Sequence, residues 1–600
     1  MTLRTPAFAP LLLVPLLLAA ACAQTPPPAA DAAAPPPPAA HASPAAGAAM
    51  VSAADPRAAE AGVEMLRMGG SATDAAIATM LALNVVEPQN SGLGGGGFWL
   101  RSDRIGRIST IDGRESAPAA ARPDWFYGPD GKLLPREVIG IGGKSAGVPG
   151  AVAMMAKAHA EHGKLPWATL FGPAIRLARD GFAVSARMHN GLNLYGRHVT
   201  GWAKRTYFTP AGDAVAESTM LKEPELADTF ERLAKGGAGV FYKGANAQAI
   251  AAALDTAEVN PSKMTVADVE GYKALDRAAV CGDYRGYKVC GMGPPSSGGI
   301  TVLMILKQLE RFDLHALGST SPVAWHLIAD SERLAYADRN MYIGDPGYVS
   351  VPVRGLLDPT YIASRSALIS PDHMLTAIEP GHPAGAPKRV KVAFKDDPGT
   401  TDLAVADAQG NVVSVTTTVN GYFGSGLAVG GYMLNNELPD FDFVPSPDGY
   451  LAANAVEGGK RPRSSMAPTI VYGPDGKVRL VIGAAGGATI ICQVAKAIIG
   501  VIDWNMTAQQ AIATGLIFAP GSKVAIVEQG SDLVPLIPAL QAMGETVKVA
   551  PLGLKANAVE WVGGKWVGAA DPRSEGVAMD TAGNVTRIVR RANDLNGAHD

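Results

Sequence analysis

Pro398-Gly399-Thr400-Thr401-Asp402-Leu403-Ala404-Val405, returning as Asn411-Val412-Val413-Ser414-Val415-Thr416-Thr417-Thr418-Val419-Asn420, is the stretch that decides how this chain folds. Thr401, Leu403 and Val405 alternate with Asp402 and Ala404, the period-two pattern of a strand. Asp407 to Gly410 supplies a turn, and the β-branched run after it reads as the returning strand. A hydroxyl on threonine is a weak nucleophile unless a base lies beside it. A threonine that begins a chain carries that base as its own α-amine, which titrates at about 7.7–8.0, close to working pH. Using Thr400 in this way requires a cut between Gly399 and Thr400. Residues 380–397 are polar, rich in Gly and Pro and basic in their first half, which predicts an exposed, cleavable segment. Taken alone, Gly-Thr-Thr is also ordinary sheet material.

Outward from this hairpin, sheet and helix signals alternate. Thr469 to Tyr472, the turn Gly473-Pro474-Asp475-Gly476, and Lys477 to Ile482 read as a second hairpin. Gly486-Gly487 and a helical run from Ala488 to about Ile502 follow. On its own this Gly-Gly pair reads as a tight turn. Toward the N-terminus, Asp55-Pro56 caps a helix that stops at Gly69-Gly70, and Ser71-x-x-Asp74 opens another that runs to about Asn84. Gly94 to Gly97 are four consecutive glycines without the Lys-Ser/Thr ending of a phosphate loop. They predict backbone packed closely against another element. Helices dominate from about Gly150 to Thr256 and from Gly299 to Asn340. Hairpins followed by helices predict an α+β design of antiparallel sheets covered by helices.

The chain has 600 residues, 47% of them hydrophobic and 18% charged, so it holds ample material for a large core. A net charge of -3 leaves no basic footprint for nucleic acid and favours a small-molecule role. Arg4 and the apolar run Leu11 to Ala21 form an export signal, too short to span a bilayer. Ala19-Ala20-Ala21-Cys22 resembles a lipobox with Cys22 as the lipidated residue; an ordinary signal cut near Ala21 or Ala23 is the alternative. Residues 23–49, mostly Pro and Ala, read as an extended tether. The expected location is the periplasm or a lipid anchorage at the bacterial cell envelope. Cys281 and Cys290 flank a segment centred on Arg285-Gly286, and a two-residue turn there makes them face each other. They are either a disulfide or two buried thiols. No His/Cys cluster has zinc spacing, so no metal is expected.

Thr400-Thr401, Val415 to Asn420, Leu434-Asn-Asn-Glu437, Lys460-Arg-Pro-Arg-Ser464-Ser465-Met-Ala-Pro-Thr469 and Gly486-Gly487 together resemble the small subunit of gamma-glutamyltransferases (gamma-glutamyltranspeptidases, or glutathione hydrolases). Leu66 to Gly97, Arg114-Glu115-Ser-Ala-Pro118, Gly147-Val-Pro-Gly150, Phe241-Tyr-x-Gly244 and Pro294-Pro-Ser-Ser-Gly-Gly299 are similar to the large subunit, and Asp571-Pro-Arg573 also fits. The likeness covers about residues 50–580 in the family's order. It implies a four-layer αββα sandwich of the N-terminal-nucleophile hydrolase type. The implied precursor is cut between Gly399 and Thr400 into a large chain (50–399) and a small chain (400–600) that stay associated, preceded by the export signal (1–22). Thr400 is then both the self-cleaving residue and the nucleophile toward γ-glutamyl amides. It passes the glutamyl group to water or an amino acceptor without a cofactor. The resemblance further implies that Thr418 orients the nucleophile, Asn420 contacts substrate, and Gly486 and Gly487 bind the oxyanion. Arg114 with Ser464 and Ser465 takes the substrate α-carboxylate, and Glu437 with Asp440 takes the α-ammonium.

The sequence departs from the family pattern at three places. Asp402 stands where the family carries His, on the face expected to be shared with Thr400, which predicts an α-amine with a raised pKa. The family's Pro-Arg-x-His-His-Gln segment is replaced by Ala513 to Pro520, and the loop Phe441 to Arg463 is short for a lid. Two alternatives follow: an acylase acting on another amide, such as a glutaryl β-lactam side chain, or a surface binding protein that no longer processes itself.

Overall fold

Gly399–Ala406 and Val412–Gly421 form the expected antiparallel hairpin, with Thr401 opposite Thr417 and Asp402 opposite Thr416. The structure is a computed structural model describing residues 46–392, 399–444 and 448–586. The export signal with Cys22, residues 23–45 of the tether, and Pro398 lie outside the described residues. Within the described set the hairpin occupies the middle of a seven-stranded antiparallel sheet. Its order is Val577–Asp580, Met50–Ala53, Gly399–Ala406, Val412–Gly421, Gly96–Ser102, Ile108–Gly113 and Leu275–Asp276. A second antiparallel sheet runs Ala46–Gly47, Lys565–Ala570, Lys555–Val562, Val478–Ala485, Thr469–Tyr472, Tyr287–Gly291 and Val280–Tyr284. Strands from both sides of Gly399 contribute to each sheet.

Side-chain alternation sorts the two faces of the central hairpin. Leu403, Val405, Val413 and Val415 pack with residues of the helices Pro56–Arg67 and Ala72–Val86. Ala404, Ala406 and Val412 share a different cluster with Ile470, Val481 and Val559 of the second sheet. The far face of that sheet, with Leu480 and Ile482, packs on Gly298–Leu309, Pro322–Tyr342 and Thr489–Ile502. A strand covered on both faces has no solvent side, which is why Gly399–Ala406 is buried throughout.

Local signals account for the rest. Asp55 accepts from the Arg57 N–H at the first helix start, and Ser71 with Asp74 closes a capping box at the second. The glycine run leaves no room for side chains: a Cβ on Gly95 lands 1.9 Å from the Thr418 carbonyl oxygen, and one on Gly97 2.4 Å from that of Thr416. Cys281 and Cys290 sit opposite each other across an Arg285-Gly286 turn and form a disulfide, resolving the alternative of two free thiols; Cys281 is exposed, and only Cys290 is buried. Ala46–Gly47, within the stretch expected to be tether, instead pairs with Trp566 and Val567. Residues 380–392 carry no regular structure, and only Pro383 among them is buried; residues 393–398 are not described. The 441–463 loop folds onto the body, where Phe441 and Val456 join Leu438, Trp125 and Phe126 in one apolar cluster. No helix among the described residues is long and apolar enough to cross a membrane.

Candidate active site

Where the hairpin opens, the ladder is interrupted between Gly399 and Thr401, and Thr400 takes a left-handed backbone conformation (φ 88°). That conformation is costly for a β-branched residue. It turns the Thr400 hydroxyl onto Thr418, to which it donates at 3.1 Å. Thr418 Oγ1 also accepts the Asn420 N–H at 2.7 Å, and Asn420 Nδ2 donates to the Asn436 carbonyl. The carbonyl before Thr400, that of Gly399, accepts the Gly486 N–H at 3.1 Å. Gly486 (φ 121°) and Gly487 (φ 59°) form the turn that enters the Thr489–Ile502 helix, a path that side-chain-bearing residues rarely take. Thr400 Oγ1 therefore lies on a hydroxyl partner, while the oxygen of its preceding peptide rests on a backbone donor.

A cleft brings together Thr400, Asn420, Arg114, Glu437, Asp440, Ser464, Ser465 and Gly487. Of the predicted residues, Thr418 and Gly486 join through their bonds to Thr400 and Gly399 rather than by lining the cleft. Arg114 is buried and ion-paired to Glu437 and, at 2.5 Å, to Asp440, with Glu115 at 3.9 Å. Its remaining bonds go to the carbonyls of Pro462 and Arg463. Burial pushes the Glu115 carboxyl up to about 7 despite Arg114, and burial likewise holds Glu437 well above the usual carboxylate range. The carboxyl groups gathered around this one guanidinium give this end of the cleft oxygen acceptors for a ligand ammonium. Ser464 accepts the Met466 N–H, and Ser465 accepts from Arg339.

Asp402 corrects one expectation. Its carboxyl does face the same side of the hairpin as Thr400, accepting from Thr416 Oγ1 at 2.7 Å as Thr400 meets Thr418. It is completely buried between the sheets, and that burial raises its pKa well above 3.8, so it stands neutral. A neutral carboxyl exerts no charge on a neighbouring amine.

Several contributors carry no sequence signal of their own. Thr401 Oγ1 donates to Glu87, which Lys555 Nζ also binds at 3.0 Å. Burial lowers Lys555 to about 8, whereas Lys555 and Arg187 overcome burial to keep Glu87 below its ordinary value. The Lys555 N–H reaches Gln493, whose amide holds the Ala485 carbonyl and Thr489 Oγ1; Thr489 in turn donates to the Gly486 carbonyl. One polar frame thus fixes both the strand that carries Thr400 and the glycine turn. His326, Asp330 and Glu545 also converge, but Arg333 binds both carboxylates and already supplies their counter-charge.

A profile of the family described as Gamma-glutamyltranspeptidase matches residues 58–581. The glutathione hydrolase proenzyme of Bacillus subtilis strain 168 is 36% identical over 545 residues, covering 88% of this chain and 91% of that protein. The glutathione hydrolase proenzyme of Escherichia coli K12 is 36% identical over 538 residues, with 88% and 90% covered. Among solved structures, a cephalosporin acylase from Bacillus halodurans superposes with a TM-score of 0.80 at 26% identity, covering 92% of this chain and 99% of that one. The chain belongs to the gamma-glutamyltranspeptidase family.

Proposed function

We propose that this protein is a self-cleaving gamma-glutamyltransferase and glutathione hydrolase in which Thr400 performs both reactions. The observation that carries this is the pairing of the Thr400 hydroxyl with Thr418 and of the Gly399 carbonyl with the Gly486 N–H. In the precursor, Thr400 Oγ attacks the Gly399 carbonyl carbon while the Gly486 N–H holds the developing oxyanion. The peptide C–N bond breaks to leave an ester on Thr400, and water hydrolyses that ester. The products are a carboxyl on Gly399 and a free α-amine on Thr400. That amine then removes the Thr400 hydroxyl proton as Oγ attacks a γ-glutamyl amide. Gly486 and Gly487 bind the tetrahedral oxyanion, Thr418 holds the nucleophile, and Asn420 contacts the acyl group. Arg114, Ser464 and Ser465 take the α-carboxylate; Glu437 and Asp440 take the α-ammonium. The departing amine collects the proton. Water then releases glutamate from the ester, or an amino acceptor takes the acyl group as a new γ-glutamyl amide, in a ping-pong cycle with Thr400 Oγ reprotonated in either case.

The two helix-covered sheets form a four-layer αββα sandwich of the N-terminal-nucleophile type. Their interleaved strands keep the large chain (50–399) and small chain (400–600) together after the cut. Residues 1–22 export the protein, and Cys22 with the tether beyond it provides an envelope anchor; both rest on the sequence alone.

An acylase acting on a glutaryl amide is the second reading, favoured by the likeness to the cephalosporin acylase. A glutaryl group differs from a γ-glutamyl group only in lacking the α-ammonium, so the excess of acid around Arg114 separates the two. Turnover of a γ-glutamyl anilide is expected to exceed that of the glutaryl anilide by about 100-fold in kcat/KM, the discrimination of one buried charge pair. The opposite preference transfers the assignment to the acylase.

A further inference from the structure

Three guanidinium groups line the cleft: those of Arg114, Arg339 and Arg463. Arg114 is matched by Glu437 and Asp440, and Arg463 by Asp442 at 3.4 Å. Arg339, in the last turn of the Pro322–Tyr342 helix, differs. No carboxylate among the described residues lies within 4.0 Å of it, although it is only 5% exposed. Nε donates to Ser297 Oγ at 2.7 Å, Nη1 to Asn340 Oδ1 at 2.8 Å and Nη2 to Ser465 Oγ at 2.7 Å, all of them neutral acceptors. Two of its five N–H groups, one on each terminal nitrogen, are left over from these bonds. Burial, with Arg463 beside it, lowers the guanidinium to about 10, so it remains charged at neutral pH. A buried charge with only neutral partners is an unfavourable arrangement unless an anion completes it.

The bonds also dictate the direction of a nearby proton. Because Ser465 Oγ accepts from Arg339, its own hydroxyl hydrogen points elsewhere, and Ser465 lines the cleft. Ser297 Oγ, which accepts from Arg339, passes its hydrogen to the Ser464 carbonyl at 2.6 Å. Arg339 thereby ties the Pro294 to Gly299 turn to the Ser464-Ser465 segment. It leaves a hydroxyl donor and a positive charge with no directly bonded carboxylate at the same wall, Asp442 and Asp440 acting on it only from a distance. On the same 462–465 segment, Arg114 keeps one free N–H after its bonds to Glu437, Asp440 and the carbonyls of Pro462 and Arg463.

We propose that Arg339 is the positioning residue that makes the site select acyl groups bearing a carboxylate, by supplying the unmatched charge and by turning the Ser465 hydroxyl toward the ligand. This rests on the assignment of the cleft to γ-glutamyl amides, yet it holds for a glutaryl amide as well, since both acyl groups carry the carboxylate. Arg114 and Arg339, both bonded to the 462–465 segment, then offer the carboxylate two guanidinium groups, while Glu437 and Asp440 receive the ammonium of a γ-glutamyl group.

The test compares two anilides, γ-glutamyl and 4-aminobutyryl, which differ only in the carboxylate. In Arg339→Gln the preference for the γ-glutamyl anilide is expected to fall by about 30-fold, the loss of one charge-assisted contact, and to do so through KM rather than kcat. Ser465→Ala is expected to show the same KM-borne loss, and the double variant less than the product of the two. If Arg339→Gln does not fold, Arg339→Lys, which keeps the charge but not the fork that holds Ser297, Asn340 and Ser465, carries the test by the same ratio. A partial loss is then expected, and an unchanged preference overturns the positioning role. Equal losses on both anilides, or an unchanged preference, overturn the role of Arg339. Wild-type protein that ignores the γ-glutamyl anilide but cleaves a glutaryl one instead overturns the substrate assignment. In that case glutaryl against butyryl anilide tests Arg339 by the same ratio.

Discussion

Asp402 shows how far a single residue's chemistry depends on its surroundings. Two residues past Thr400, its position on the Thr400 face follows from strand alternation and is visible in the sequence. Its charge is not visible, because neutrality arises from burial between two sheets whose packing involves residues hundreds of positions away. With a neutral carboxyl accepting from Thr416, Asp402→Asn is expected to leave the pH profile of kcat in place, within about 0.3 of a pH unit. A profile displaced by a full unit contradicts the neutral assignment. The same limit explains which site residues the sequence exposes. Thr400, Thr418 and Asn420 lie on one hairpin whose strands are legible by spacing, while their roles come from the family resemblance. Arg339, Glu87, Gln493 and Lys555 belong to separate helices and strands, with no local pattern to mark them.

At the scale of elements, the glycine run is the clearest meeting of sequence and packing. Four glycines before Phe98 signal close backbone approach, and the approach is to the Val412–Gly421 strand that carries Thr418. A Cβ on Gly95 meets the Thr418 carbonyl oxygen at 1.9 Å, whereas one on Gly239 meets nothing within 4 Å. Gly95→Ala is therefore expected to cost about 1–3 kcal/mol of stability and to slow self-cleavage by displacing Thr418. Gly239→Ala is the neutral control. Thermal unfolding of the two variants checks this, and equal midpoints contradict the packing described. Helix caps at Asp55 and Ser71 and the turn at Arg285-Gly286 were equally legible, since each depends on a few adjacent residues. The strand at Ala46–Gly47 was not: small residues after a Pro/Ala tract acquire strand geometry only from their partner, Trp566–Val567.

The whole molecule carries an unusual set of buried acids. Burial raises Glu223 and Glu332 to about 8 and Glu115 to about 7, all from 4.5. From pH 5 the folded protein keeps these protons, up to about pH 7 at Glu115 and about pH 8 at Glu223 and Glu332, while the unfolded chain releases them. Stability therefore falls as pH rises, by up to about 1.4 kcal/mol per pH unit for each group within its window. Unfolding midpoints are expected to drop steadily from pH 5 to 8; a rise across that window contradicts the buried, neutral state of these carboxyls. The layered architecture was legible in outline, because hairpins and amphipathic helices announce themselves locally. Sheet order was not, since strands from before and after Gly399 interleave and no local pattern specifies that. Under the proposed cut before Thr400, this interleaving is what holds the two resulting chains together. The most direct test of the account is intact-mass analysis with N-terminal sequencing of purified, active protein. Two chains are predicted, the smaller beginning at Thr400 with a free amine. An active protein whose Thr400 is still joined to Gly399 contradicts it.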